Sequence, residues 1–262
     1  MASIQFGASQ AKGLIPMTGA AGATTLRLLV AGLTLLLIFR PKDLRPSKNL
    51  FIYGLSLGLM NLTFYFAIAR IPLGIAVALE FVGPLTVALF SSRSKRDIFW
   101  ALLAATGLTL LLPFNMHEVS ALDPIGVLFA LIAGACWASY IIFGKKAGES
   151  AKGPEAVAVG MLTAALVVLP FGAIFDGAKI FQVAALPLAL VVGIFGSALP
   201  YTLEMSVLKK MSPATFGILM SLEPVMATIM GIIFLGENLE PSQYFAILCI
   251  MISSLGSTLT QK

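Results

Sequence analysis

The sequence predicts an all-α integral membrane protein: a ten-helix bundle of two inverted five-helix repeats, with the first helix cut short. Three observations lead there. Of 262 residues, 58% are hydrophobic and only 11% charged, whereas soluble domains are about half apolar and a quarter charged. The apolar residues form continuous runs of about 20, the length of a membrane-crossing helix. The Lys and Arg residues cluster between runs on one side of the alternation. This composition excludes a soluble globular enzyme, a disordered chain and a secreted disulfide scaffold.

The apolar spans read at 1–18, 20–39, 50–69, 72–91, 98–114, 124–144, 154–175, 186–208, 213–235 and 242–260. They do not alternate polar and apolar as the roughly ten-residue strands of a membrane barrel do. Placing Arg40, Lys42, Arg45 and Lys48 on the cytoplasmic side brings Arg93, Lys95, Arg96, Lys145, Lys146, Lys152, Lys209, Lys210 and Lys262 to that side too. Only Lys12, Arg70 and Lys179 fall opposite, beside Glu118, Asp123, Asp176, Glu237 and Glu240. An even number of crossings with both termini cytoplasmic in the full-length form fits this asymmetry. The net charge of +5 is therefore a topology signal rather than a nucleic-acid footprint. Cys136 and Cys249 sit inside apolar runs and read as inert small residues. His117 lies in an outer loop and has no assigned role.

The chain repeats itself. Arg70-Ile71-Pro72-Leu73-Gly74 is followed ten residues after Gly74 by Pro84, and Lys210-Met211-Ser212-Pro213-Ala214 ten residues after Ala214 by Pro224. Gly58-Leu59-Met60-Asn61 stands beside Ala198-Leu199-Pro200-Tyr201, and Ala2 to Lys12 beside Ala135 to Lys145. Five spans per repeat is an odd number, so the halves run in opposite senses through the membrane. Inverted repeats of this kind are a transporter architecture, with the site at the midplane between them. The same alignment leaves the first span short by about half a helix. A start codon assigned too late is the favoured explanation, a shortened chain the other.

Several stretches carry a family resemblance: Pro72-Leu73-Gly74-Ile75-Ala76-Val77-Ala78-Leu79-Glu80-Phe81, Gly83-Pro84-Leu85, Gly134-Ala135-Cys136-Trp137-Ala138, Ala198-Leu199-Pro200-Tyr201 with Leu203-Glu204-Met205, and Leu222-Glu223-Pro224 with Phe234-Leu235-Gly236-Glu237. On these the chain resembles the drug/metabolite transporter superfamily in its ten-helix form with two EamA-type repeats, and within it the bacterial threonine/homoserine exporters. The resemblance implies a first EamA-like repeat over 1–114 and a second over 124–262. It also implies a bacterial inner-membrane location and efflux of small metabolites driven by protons. The implied partners are amino acids, protons and the lipid bilayer; a homodimer stays open, and nucleic acid is not expected. No cofactor, metal motif, nucleophile elbow or phosphate loop is present in the sequence, so an enzyme is not expected.

Four ionisable residues fall within spans, where a charge costs about 2.5–3.5 kcal/mol at the helix centre. Glu80 lies near the midplane, and Pro84 cannot donate to its backbone carbonyl. Carboxylate and freed carbonyl would suit an ammonium group or a proton; a buried packing glutamate is the alternative. Glu223, immediately before Pro224 with the Met220 carbonyl freed, reads as a proton-linked gate or a packing residue of the repeat. Arg27 suits a substrate carboxylate, or forms a structural pair. Glu204 either joins the pathway or pairs locally with Lys209 or Lys210. Asn61, Tyr65, Trp137, Tyr140 and Tyr201 are candidate cavity residues, with packing as the alternative, and Pro84, Pro200 and Pro224 are candidate kinks. Gln5 and Ser9 share a face of the first span. Gly54 and Gly58 form a small-xxx-small pair that predicts close helix approach. The combined reading is a proton-linked exporter of threonine, homoserine and related amino acids. The alternatives are a broad multidrug or cationic-metabolite exporter, and a non-transporting membrane interaction protein.

Overall fold

The computed structural model describes residues 1–41, 47–91, 95–111, 122–150, 153–235 and 241–260, and these are helical almost throughout. In chain order the helices are α1 (Ala2–Thr18), α2 (Ala20–Phe39), α3 (Lys48–Ile68), α4 (Leu73–Glu80), α5 (Val82–Ser91), α6 (Lys95–Leu111), α7 (Pro124–Ser150), α8 (Gly153–Phe175), α9 (Leu186–Gly193), α10 (Leu199–Leu208), α11 (Pro213–Leu219), α12 (Leu222–Leu235) and α13 (Pro241–Thr260). Two short 3₁₀ turns precede α9, and a π-helical turn, Ile194–Ala198, joins α9 to α10.

Among the described residues, seven helical stretches are long and apolar enough to cross a membrane. Three of them contain breaks: α4 with α5, α9 with α10, and α11 with α12. The fold is inside-out relative to a soluble domain. Phe90, Leu37 and Ile174 face outward, more than two-thirds exposed, while Arg27, Glu80, Glu204 and Glu223 are buried. Lipid has the polarity of Leu, so the charged groups turn to the bundle interior.

Close helix approach relies on small residues. A Cβ on Gly54 would come within 2.5 Å of Thr163 and one on Gly58 within 3.0 Å of Ala164, so α3 lies backbone to backbone on α8, as the glycine pair predicts. Gly19 joins α1 to α2 with a φ of 76°, and the Asp176 carboxylate accepts from the Gly22 N–H at 2.7 Å, capping the start of α2. Helix α7 runs past the predicted end at 144 to Ser150, because Lys145, Lys146, Ala147 and Glu149 are good helix formers. The proline breaks fall a turn earlier than the prolines themselves. The first is at Phe81, three residues before Pro84, and the second at Met220–Ser221, before Pro224. A proline affects the carbonyl four residues back, and there the helix yields.

Candidate functional site

Seven helices meet around a narrow cavity with about 450 Å³ of atom-free space, its mouth included. Ile4, Gln5 and Ala8 come from α1, Arg27 from α2, and Met60, Asn61 and Phe64 from α3. Glu80 closes α4, Trp137 comes from α7, Tyr201 and Glu204 from α10, and Glu223 from α12. The four intramembrane charges named from sequence thus share one cavity, with Asn61, Trp137 and Tyr201 beside them.

Their hydrogen-bonding states differ. Glu80 is 7% exposed, and both of its oxygens are open to the cavity, with no hydrogen-bond or ion-pair partner among the described residues. It ends α4, where the last backbone carbonyls add partial negative charge; that combination attracts a cation. Arg27 and Glu223 are the charges within electrostatic reach of it. Its backbone carbonyl takes a different role from the one expected. A Cβ on Gly134 would lie 2.5 Å from that oxygen and one on Gly83 would collide with Gly134. The freed carbonyl therefore abuts the backbone of α7.

Glu223 sits in the first turn of α12, where unpaired N–H groups favour negative charge. Gln5 Nε2 donates to its Oε2, and the Met1 amino group lies 3.7 Å from its Oε1. The Met220 carbonyl, expected to be free, accepts from the Glu223 N–H at 2.8 Å: a tighter turn replaces the bond that Pro224 cannot make. Glu204 faces the cavity and accepts from Tyr140 Oη at 3.2 Å; among the described residues it forms no ion pair with Lys209 or Lys210.

Arg27 is 2% exposed. Its Nε donates to Ser197 Oγ at 2.6 Å, Nη1 to Tyr65 Oη at 3.1 Å and Nη2 to the Gly196 carbonyl. The guanidinium also stacks 5.3 Å from the centre of the Tyr65 ring. Asn61 Nδ2 donates to the Leu57 carbonyl at 2.8 Å and to Tyr201 Oη at 3.3 Å. Tyr65 and Tyr140 stand behind the wall rather than in it: the first holds Arg27, the second Glu204. Tyr140 also packs on the Tyr53 and Tyr201 rings, centroids 5.3 and 5.8 Å away, and Trp137 meets Phe81 edge to face. Sequence reasoning did not place Ile4, Ala8, Met60 and Phe64, which form the apolar part of the wall, nor Ser197. Gln5 carried a signal, as a polar residue on an apolar span, without a named partner. His117, Glu118, Glu237 and Glu240 lie outside the described residues.

A membrane-embedded helical bundle with buried charges around an interhelical cavity, and no cluster of metal-ligating side chains among the described residues, is the architecture of a carrier of small molecules. The comparisons place it. Residues 124–259 match the EamA-like transporter family. The chain is 51% identical over 266 residues to the threonine/homoserine exporter RhtA of Escherichia coli (strain K12), covering 100% of this chain and 90% of that protein. It is 50% identical to the RhtA of Salmonella typhimurium (strain LT2), covering 99% and 89%. Protein PecM of Dickeya dadantii is 27% identical over 87% of this chain and 79% of its own length. One solved crystal structure superposes with a TM-score of 0.68 at 19% identity, over 98% of this chain and 97% of its own, and shows the fold alone. The chain belongs to the EamA-like transporter family. It is a membrane transporter, not an enzyme.

Proposed function

We propose that this protein exports threonine, homoserine and related amino acids across a bacterial inner membrane by proton-linked alternating access. The observation that carries the reading is Glu80: a buried carboxylate with no hydrogen-bond or ion-pair partner among the described residues, in a cavity of a chain half identical to two threonine/homoserine exporters over essentially its whole length. The Glu80 carboxylate receives the substrate ammonium. Asn61 Oδ1, which accepts no hydrogen bond among the described residues, suits the side-chain hydroxyl that threonine and homoserine share. Release on the outer side lets a proton replace the ammonium on Glu80, and the proton returns inward with the empty carrier.

The moving parts are two inverted five-helix halves, and the helix neighbours support that arrangement. Under exchange of halves α2–α8 and α6–α13 map onto themselves, α5–α11 onto α12–α4, and α5–α7 onto α12–α1; all of these pairs touch. Two side-chain contacts support the grouping of the loops into two opposite faces. Arg70 pairs with Asp123 at 3.4 Å on the side assigned outward, and Lys145 Nζ donates to the Met211 carbonyl at 2.8 Å on the side assigned cytoplasmic.

Proteoliposomes preloaded with labelled threonine test the reading. Efflux should accelerate when the side corresponding to the cell exterior is acidified, and Glu80→Gln should abolish that acceleration. Efflux by Glu80→Gln at the wild-type rate and with the wild-type pH response would contradict it. A second reading, export of cationic metabolites, is favoured by one observation: three carboxylates face the cavity against one guanidinium whose nitrogens are all engaged. That reading requires threoninol, the amino alcohol lacking the carboxylate, to leave at least as fast as threonine.

A further inference from the structure

Pro200 has no N–H, so neither an α bond to the Gly196 carbonyl nor a π bond to the Phe195 carbonyl can form. Both acceptors are filled from the other half of the molecule: Ser3 Oγ donates to the Phe195 carbonyl and Arg27 Nη2 to the Gly196 carbonyl. Arg27 Nε also holds Ser197 Oγ. The turn is clasped tightly there. A Cβ on Gly7 would lie 2.3 Å from the Gly196 Cα, and one on Gly193 2.5 Å from the Val30 side chain. The π turn itself is closed by the Leu199 N–H bonding to the Ile194 carbonyl. One extra residue in a helical turn rotates everything after it by about 100°. Tyr201 and Glu204, which follow directly, face the cavity.

We propose that Arg27 is a positioning residue rather than the receptor for the substrate carboxylate: its guanidinium fork replaces the donor that Pro200 lacks, holds Ile194–Ala198 in its π turn, and so presents Tyr201 and Glu204 to the substrate. The donors in the cavity without an acceptor among the described residues are instead the Trp137 indole N–H and the Tyr201 O–H; of these the indole N–H, which can only donate, is free to meet a carboxylate.

The transport arm of the test rests on the export reading; the unfolding arm does not. In proteoliposomes, Arg27→Gln should raise KM by about tenfold, the scale of one charge-assisted hydrogen bond, and by the same factor for threonine and threoninol. In the purified protein, Arg27→Gln should lower Tm. Pro200→Ala, which gives Gly196 a backbone donor, should remove at least about half of that loss in the double variant, since the two sites couple through one carbonyl. If Arg27→Gln alone yields no folded protein, the Pro200→Ala background should restore it and supply material for the same KM comparison. The proposal is overturned if Arg27→Gln erases the preference for threonine over threoninol, if Vmax falls at unchanged KM, or if Pro200→Ala rescues neither Tm nor folded yield. A wild-type chain that moves no amino acid would sink the export reading and leave the unfolding test in force.

Discussion

Two of the broken helices, α4 with α5 at Pro84 and α11 with α12 at Pro224, carry their acids differently. Glu80 stands four residues before its proline and Glu223 one residue before. That offset places Glu80 at the C-terminal end of α4 and Glu223 in the first turn of α12. Helix ends carry opposite partial charge, so the first acid sits where a cation is drawn in and the second where its own charge is balanced. Partners follow the same division: among the described residues Glu80 has no hydrogen-bond or ion-pair partner, while Glu223 is held by Gln5. On the proposed function, the first break exchanges a ligand, while at the second Gln5 ties α12 to α1.

Glu80→Gln should cost the most. Threonine efflux should fall about 100-fold or more, the scale of losing an ion pair to substrate in a dry site, with Tm nearly unchanged because no protein partner is lost. Glu223→Gln should act less on transport, at about tenfold, and more on stability, because Gln5 loses a charged acceptor. If the two variants show equal effects on both, the division between the breaks fails.

Gly134→Ala tests the wall behind Glu80. Its Cβ would meet the Glu80 carbonyl at 2.5 Å, and a backbone oxygen cannot swing away as a side chain can. The clash should cost about 1–3 kcal/mol, seen as a lower Tm or a lower folded yield. Wild-type stability would show that α4 and α7 are not so closely apposed.

Gln5→Leu removes the donor from a buried carboxylate and should cost about 1–3 kcal/mol, read by thermal unfolding, with a smaller effect on efflux than Glu80→Gln. Tyr140→Phe takes one hydrogen bond from Glu204 and should cost about 0.5–1.5 kcal/mol, with efflux reduced about threefold.

Much of the fold was legible because hydropathy, basic loops and prolines act locally. The predicted spans 20–39 and 154–175 end within a residue or so of α2 and α8, and the broken helices were announced by Pro84 and Pro224. The cavity was legible in its charged members, since Arg27, Glu80, Glu204 and Glu223 have few places to go in lipid. Their partners were not. Gln5 meets Glu223 across 218 residues of chain and Arg27 meets Ser197 across 170, and no local pattern encodes such a meeting. The π turn at Ile194–Ala198 is equally silent in composition; only Pro200 signals a carbonyl in need of a donor. The Met220 carbonyl shows the limit of the proline rule, which names the atom that loses its usual bond but not the N–H that takes its place.

The most direct test of the open and anchored acids is chemical. A hydrophobic carbodiimide, which attacks accessible carboxyl groups within the membrane, is applied with and without threonine, and the modified peptides are mapped by mass spectrometry. Modification is expected at Glu80, with protection by threonine, and little at Glu223. Modification of Glu223 with threonine protection, and none at Glu80, would contradict the account.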